Sequence, residues 1–228
     1  MKKSIEEKDV LNVEKVFDSL ARRYDLWYEK PFGKSAFNWE IACIESLCKN
    51  LKPPFLEVGV GTGRFAQALK IKCGIDVSTG MLKFAKQKGI VVIKADGESL
   101  PFVDSFFGAV FIVVTLCFME EPLKVLKETS RVLREDGAVI LGLILKESLW
   151  ANFYKKKGDA GNVFYRIAKF YSFEELSTMV HEVGFEIQEI SSTMFQAPNE
   201  LPLHFESPKS GYFKEAGFVA VKLRKANP

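Results

Sequence analysis

Phe55-Leu56-Glu57-Val58-Gly59-Val60-Gly61-Thr62-Gly63-Arg64-Phe65 is an apolar run that ends in an acid and opens into glycine at every second position. The run reads as a β-strand and the glycines as a tight turn at its carboxyl end. Glycine has no Cβ and accepts positive φ, so such a turn lets the backbone approach a nucleotide-like ligand closely. A helix opening near Arg64 would aim its free N–H groups at negative charge there. Glu57, just before the turn, can fix the loop or meet a ligand cation. Gly61-Thr62-Gly63-Arg64-Phe65-Ala66 also fits the G-x-G-x-x-A form of a dinucleotide loop, so the turn by itself leaves a nicotinamide-dependent oxidoreductase open.

The rest of the chain narrows this. At 228 residues and 47% hydrophobic composition it can bury one sizeable core, as a single α/β domain with additions. The formal net charge of +3 is small, and lysines are spread among glutamates, which gives no case for nucleic acid or an anionic membrane. Cys43, Cys48, Cys73 and Cys117 contain no C-x-x-C pair and read as reduced; no metal site is expected. The charged stretch Met1 to Asp9 lacks an apolar signal core, and the apolar run Ala109 to Met119 is too short to span a bilayer. A cytoplasmic protein, monomeric or loosely dimeric, is the expectation.

Ahead of the glycine turn, Val13, Val16, Phe17, Leu20 and Tyr24 recur at helical spacing from about Asp9 to Tyr28. A second helix is predicted over about Ala36 to Leu51, with Phe37, Ile41, Ile44, Leu47 and Leu51 on one face and Pro53-Pro54 as its stop. Residues 1–51 thus read as a helical lid region before a domain over 52–228. After the turn, short β-rich runs alternate with helical ones: Lys72 to Asp76, Val91 to Asp96, Ala109 to Leu116 and Ala138 to Leu145 are strands. That alternation predicts a parallel sheet with crossover helices. Lys146 to Tyr171 is an aromatic, lysine-rich insertion of the length that carries function. Ser172 to Glu175 reads as a capping box, and Phe185 to Phe195 and Gly217 to Leu223 as a closing antiparallel pair around the loop Gln196 to Gly211.

Glu57, Asp76 and Asp96 each end one of the first three strands. In an open parallel sheet those ends form the ligand crevice, so three carboxylates converge on one side. Asp76 lies 19 residues after Glu57, the spacing at which an acid grips a ribose diol. Asp96-Gly97 can read an adenine edge, the carboxylate accepting from the exocyclic amine and the next N–H donating to a ring nitrogen.

Glu57-x-Gly59-x-Gly61-x-Gly63, Asp76-Val77-Ser78-x-x-Met81-Leu82-x-x-Ala85 and Asp96-Gly97-Glu98-x-Leu100-Pro101-Phe102-x-Asp104-x-x-Phe107 together resemble the class I S-adenosylmethionine-dependent methyltransferases. Within them the chain is similar to the small-molecule branch that includes the ubiquinone and menaquinone biosynthesis enzymes. Phe17-Asp18-x-x-Ala21-x-x-Tyr24-Asp25 is similar to the opening of those enzymes. The resemblance implies a Rossmann-like seven-stranded sheet of order 3-2-1-4-5-7-6, strand seven antiparallel, with helices on both faces. It implies S-adenosylmethionine as cofactor, with S-adenosylhomocysteine as product. Glu57, Gly59, Gly61 and Gly63 would surround the methionine part and Asp76 the ribose. Val77 and Met81 would flank the adenine; Asp96, Gly97 and Glu98 would read its edge; Thr115 and Leu116 would lie near the sulfonium. Phe107-Gly108 stands where the family has Phe-Asp, and no histidine follows the fourth strand.

The expected reaction is in-line displacement of the methyl group by a small-molecule acceptor, driven by placement and exclusion of water. No catalytic residue is assigned; His204, in the late loop, is the candidate base, and His181 lies within a helix. Tyr24, Trp27, Tyr28, Trp150, Tyr154 and Tyr165 are expected to line the acceptor pocket, where aromatic faces suit a flat or cationic molecule. Stapling of the first helix to the core, for Tyr24, Trp27 and Tyr28, and packing of the insertion onto the sheet, for Trp150, Tyr154 and Tyr165, are the other readings of the same residues. A module that binds the cofactor without transferring the methyl also remains open.

Overall fold

The structure is a computed structural model, which describes residues 12–198 and 204–226. Helices α1 (Val13–Trp27) and α2 (Pro31–Leu47) precede the sheet. Asn12 caps α1 by accepting the Lys15 N–H; the expected start at Asp9 lies outside the described residues. Helix α2 begins at Pro31, earlier than the predicted Ala36, because proline suits a first turn whose N–H groups have no partner. It also ends at Leu47, short of Leu51. Its buried stripe is Gly33, Ala36, Trp39, Glu40, Cys43, Ile44 and Leu47, rotated from the predicted face.

The sheet alternates as read: β1 (Phe55–Val58), α3 (Arg64–Ala68), β2 (Cys73–Asp76), α4 (Thr79–Gln87), β3 (Val91–Lys94), β4 (Phe107–Val113), α5 (Pro122–Val132) and β5 (Leu133–Leu143). The insertion holds two helices, α6 (Leu149–Asp159) and α7 (Val163–Arg166). Then come α8 (Phe173–Glu182), β6 (Phe185–Thr193), β7 (Lys209–Ser210) and β8 (Phe218–Lys225). The Ser172 capping box is present, with Glu175 at its third position.

The order is β3-β2-β1-β4-β5-β8-β6-β7. The first five strands are parallel, and β8 runs antiparallel between β5 and β6. The implied seven-stranded order is reproduced, with β8 as its seventh strand. The eighth strand is the two-residue β7, which the late loop adds to the edge of β6. Every residue of β4 is buried, because its two faces feed different cores. Val110 and Ile112 enter one cluster, and Ala109, Phe111 and Val113 the other. Helix α2 packs on β6 and β8, and α1 on α4, so both N-terminal helices rest on the sheet domain.

Candidate active site

Three glycines with positive φ make the turn after β1: Gly59 at 72°, Gly61 at 52° and Gly63 at 78°. A Cβ on Gly59 would stand 2.1 Å from Thr115 Cγ2, and one on Gly63 2.9 Å from Ala85. A Cβ on Gly61 would meet nothing within 4 Å. Two of the glycines are therefore demanded by packing of the protein on itself, whereas Gly61 borders open space. That space is a hollow of about 810 Å³ at the carboxyl ends of the parallel strands.

Asp76 faces the hollow and stiffens its floor. Its Oδ2 accepts the Gly61 N–H at 2.9 Å and its Oδ1 the Ser78 N–H at 2.9 Å. Burial nonetheless pushes its pKa up, against the pull of these N–H donors. Asp96 accepts the Glu98 N–H at 2.9 Å, and Glu98 in turn accepts the Glu121 N–H at 3.0 Å. Val77, Met81, Gly97 and Thr115 also line the hollow. Thr115 is fixed by donating to the Val113 carbonyl at 2.9 Å. Beside it Val114 has a φ of 49°, a left-handed conformation costly for a β-branched residue.

Three expected cofactor residues do not line the hollow. Gly63 is the turn's last residue and packs on Ala85, and Leu116 is buried in the core. Glu57 is sealed behind the loop at 1% exposure, where the Ala66 N–H reaches its carboxyl and Oε2 has no hydrogen-bond partner. Burial drives its pKa well above the carboxylate range. It thereby fixes the start of α3, whose N-cap Gly63 offers no side chain.

Helix α1 roofs the hollow with Phe17 and Tyr24. Asp18 accepts from Ser78 Oγ at 2.8 Å and from the Gly80 N–H. Asp25 holds Arg64 Nε at 2.8 Å and Lys88 Nζ at 3.1 Å. Burial pushes Asp25 upward, but its bonds to Arg64 and Lys88 prevail and hold it down to about 2.

Of the six expected pocket aromatics, Tyr24 lines the hollow. Tyr28, Tyr154 and Tyr165 gather behind it; Tyr24 Oη and Tyr28 Oη lie 2.9 Å apart, and the Tyr154 and Tyr165 rings stack at 4.3 Å. Trp27 packs edge-on against Tyr28, 4.9 Å between centroids. Trp150 is wholly buried, donates to the Gln196 carbonyl at 2.9 Å and leans on Phe32; it braces the core. The candidate base His204 is exposed, its backbone N–H bonded to Gln196, and is not among the hollow's lining residues. Cys117 and Lys169, which do line it, were not foreseen. Nor was Glu40, an acid in the buried stripe of α2, although its place between Ala36 and Ile44 at helical spacing could have marked it.

Residues 56–141 match the family model described as "Methyltransferase domain". A crystal structure from Thermotoga maritima, described as a SAM-dependent methyltransferase and possible histamine N-methyltransferase, is 34% identical. It superposes with a TM-score of 0.85 over 94% of this chain and 100% of that one. This chain belongs to the S-adenosylmethionine-dependent methyltransferases. An uncharacterized protein of Methanocaldococcus jannaschii is 38% identical across 92% of this chain and 98% of its own length. The demethylmenaquinone methyltransferase of T. maritima is 29% identical over 56% of this chain and 59% of its own length. The nicotinamide alternative falls with this membership, and the protein is an enzyme whose cofactor is S-adenosylmethionine. The residues present fit that group: the open side of Gly61 admits a close ligand, and Asp76 and Asp96 border the same hollow. About 810 Å³ is toward the upper end of small-molecule sites, about 300 to 1,000 Å³, enough for the cofactor and a small acceptor. Among the described residues no helix is long and apolar enough to cross a membrane.

Proposed function

We propose that this methyltransferase acts on a small-molecule acceptor held between the strand ends and α1. The observation that carries the reading is one hollow bordered by Asp76, Asp96 and Gly61 on one side and by Phe17 and Tyr24 on the other. When bound there, S-adenosylmethionine supplies a methyl group already activated on a sulfonium sulfur. Asp76 offers its remaining lone pairs to the ribose hydroxyls, while its other contacts keep the Gly61 turn in shape. Val77 and Met81 take the adenine faces, and Asp96, Gly97 and Glu98 its edge. Thr115 and the Gly59 backbone hold the sulfonium end, with Glu57 and Gly63 supporting the turn from behind. The helical region 1–51 covers the acceptor side through α1. A net charge of +3 spread over the chain favours a small acceptor over nucleic acid.

Isothermal titration with S-adenosylhomocysteine tests this. Asp76→Ala removes a charged acceptor of two hydrogen bonds, each worth about 1.5 to 3 kcal/mol, so binding should weaken by at least about 100-fold. Absence of binding by the unaltered protein to either S-adenosylmethionine or S-adenosylhomocysteine would overturn the reading.

A further inference from the structure

We propose that Glu40, with the phenols of Tyr24, Tyr28, Tyr154 and Tyr165, forms a box for a small primary or secondary amine, and that Glu40 is the base that takes its proton. The inference rests on the methyl-transfer reading above and adds the acceptor class and the base that reading lacks.

Glu40 is 6% exposed and sits among Ala36, Cys43 and Ile44, each fully buried. Among the described residues no hydrogen-bond donor or cation is paired with its carboxyl group. Leaving a carboxyl in that position costs several kcal/mol that an apolar side chain would not, so its presence calls for a ligand. Its surroundings are not apolar filler either. Its helix neighbours Ala36, Cys43 and Ile44 share one buried cluster with Tyr28 and Tyr154, while Tyr24 Oη lies 2.9 Å from Tyr28 Oη and the Tyr165 ring stacks on Tyr154 at 4.3 Å. The four phenols come from three separate elements: Tyr24 from α1 and Tyr28 from its C-cap, Tyr154 from α6 and Tyr165 from α7.

The box adjoins the reacting end of the hollow. Tyr24 belongs to both, and it shares the hollow's wall with Gly59, Thr115 and Cys117. Its other boundary is the rim where Phe164 of α7 meets Phe17 and Tyr24, 5.4 and 5.7 Å between centroids. Helix α7 buries none of its residues fully, so it is the wall that yields to admit a ligand.

The chemistry selects an amine over a phenol or quinol. Electron-rich ring faces and a carboxylate attract an ammonium and repel the phenolate that attack by a phenol requires. Burial lifts Glu40 to about 8, so the empty box is neutral near pH 7. Tyr24, Tyr28, Tyr154, Tyr165 and Cys43 are the titratable groups that face it, all raised by burial and hence uncharged there. An entering ammonium draws the carboxyl into its ionised form, the displaced proton passing to water, and the pair then exchanges one proton. The carboxylate takes that proton from nitrogen and frees the lone pair. The N–C bond forms as the C–S bond of the sulfonium breaks, and sulfur keeps the electron pair. The methylated product leaves as an ammonium, and the proton on Glu40 passes to water.

The test uses the full chain saturated with S-adenosylhomocysteine and titrated with phenethylamine, with hydroquinone in parallel. Phenethylamine should bind, and Glu40→Gln or Tyr24→Phe should weaken it by about tenfold or more while S-adenosylhomocysteine affinity stays within about twofold. With labelled S-adenosylmethionine and the same amine, Glu40→Gln should lower kcat by about 100-fold, and Glu40→Asp should recover part of it. A melting curve at pH 6 shows that each variant folds. Failure of phenethylamine to bind, preference for hydroquinone, or amine binding unchanged in Glu40→Gln would overturn the amine box and leave the methyl-transfer reading standing. Failure of the unaltered protein to bind S-adenosylhomocysteine would remove both.

Discussion

The two ends of the hollow are built by opposite means. At the cofactor end the backbone does the shaping: glycines turn at the end of β1, and Asp76 and Asp96 hold neighbouring N–H groups. At the proposed acceptor end side chains do it: Tyr24 lines the hollow, Tyr28, Tyr154 and Tyr165 gather behind it, and Glu40 is buried on α2. A backbone-built site reuses one shape for one ligand, while a side-chain-built site can be recast by changing a few residues. A family with a common cofactor and varied acceptors needs both.

Single substitutions can break that contrast. The largest effect is expected at Gly59→Ala, where a left-handed φ and a Cβ 2.1 Å from Thr115 coincide. Backbone strain of about 1 to 2 kcal/mol and overpacking of about 1 to 3 kcal/mol should sum to about 4 kcal/mol in urea unfolding. Gly61→Ala has the strain without the clash, and should lose about 1 kcal/mol. Equal losses at the two positions would show that the turn is not held by packing on Thr115.

At the acceptor end Glu40→Gln should stabilise the protein in a pH-dependent way. Its carboxyl goes from an ordinary 4.5 to about 8 in the folded chain, so the folded form holds the proton more tightly. Stability is then complete below the ordinary value and falls as pH climbs through about 8. The variant should match the parent at pH 4 and exceed it by about 5 kcal/mol at pH 9. A constant difference between the two melting profiles would mean that Glu40 is solvated.

Asp25→Asn, at the joint between the two ends, should cost about 2 kcal/mol by leaving the half-buried Arg64 and Lys88 charges underpaired. Asp25 is held down to about 2, so its contribution is present above the ordinary carboxylate value and disappears as pH falls toward 2. The variant should lack that acid-side loss in denaturant titrations across pH 2 to 5.

The same contrast decides what could be read before the fold was known. A strand-end acid, alternating glycines and further acids at fixed distances lie close together in the chain, and local backbone geometry imposes them. The parallel sheet and nine of the twelve cofactor residues assigned from sequence reach the hollow for that reason. Glu57, Gly63 and Leu116 carry the right spacing but are not among the hollow's lining residues, which spacing cannot reveal. The acceptor end depends on α1, α2, α6 and α7 meeting in space. Its aromatics stand out by composition, yet Trp150 and Trp27 pack on the core, and Tyr154 and Tyr165 lie 114 and 125 residues along the chain from Glu40, too far for spacing to connect them. His204 drew notice as a base by type, and the late loop carries it to an exposed position.

Glu14, Asp18 and Asp25 share one stripe of α1, and each fastens a different part of the sheet's carboxyl edge: Lys94 at the end of β3, the Ser78–Gly80 opening of α4, and the pair Arg64 and Lys88. The same helix carries Tyr24, whose hydroxyl meets that of its C-cap residue Tyr28. The phenol Tyr24 and the loops at the strand ends are therefore tied into one body by those three fastenings, and loosening any of them is felt on both sides of the helix.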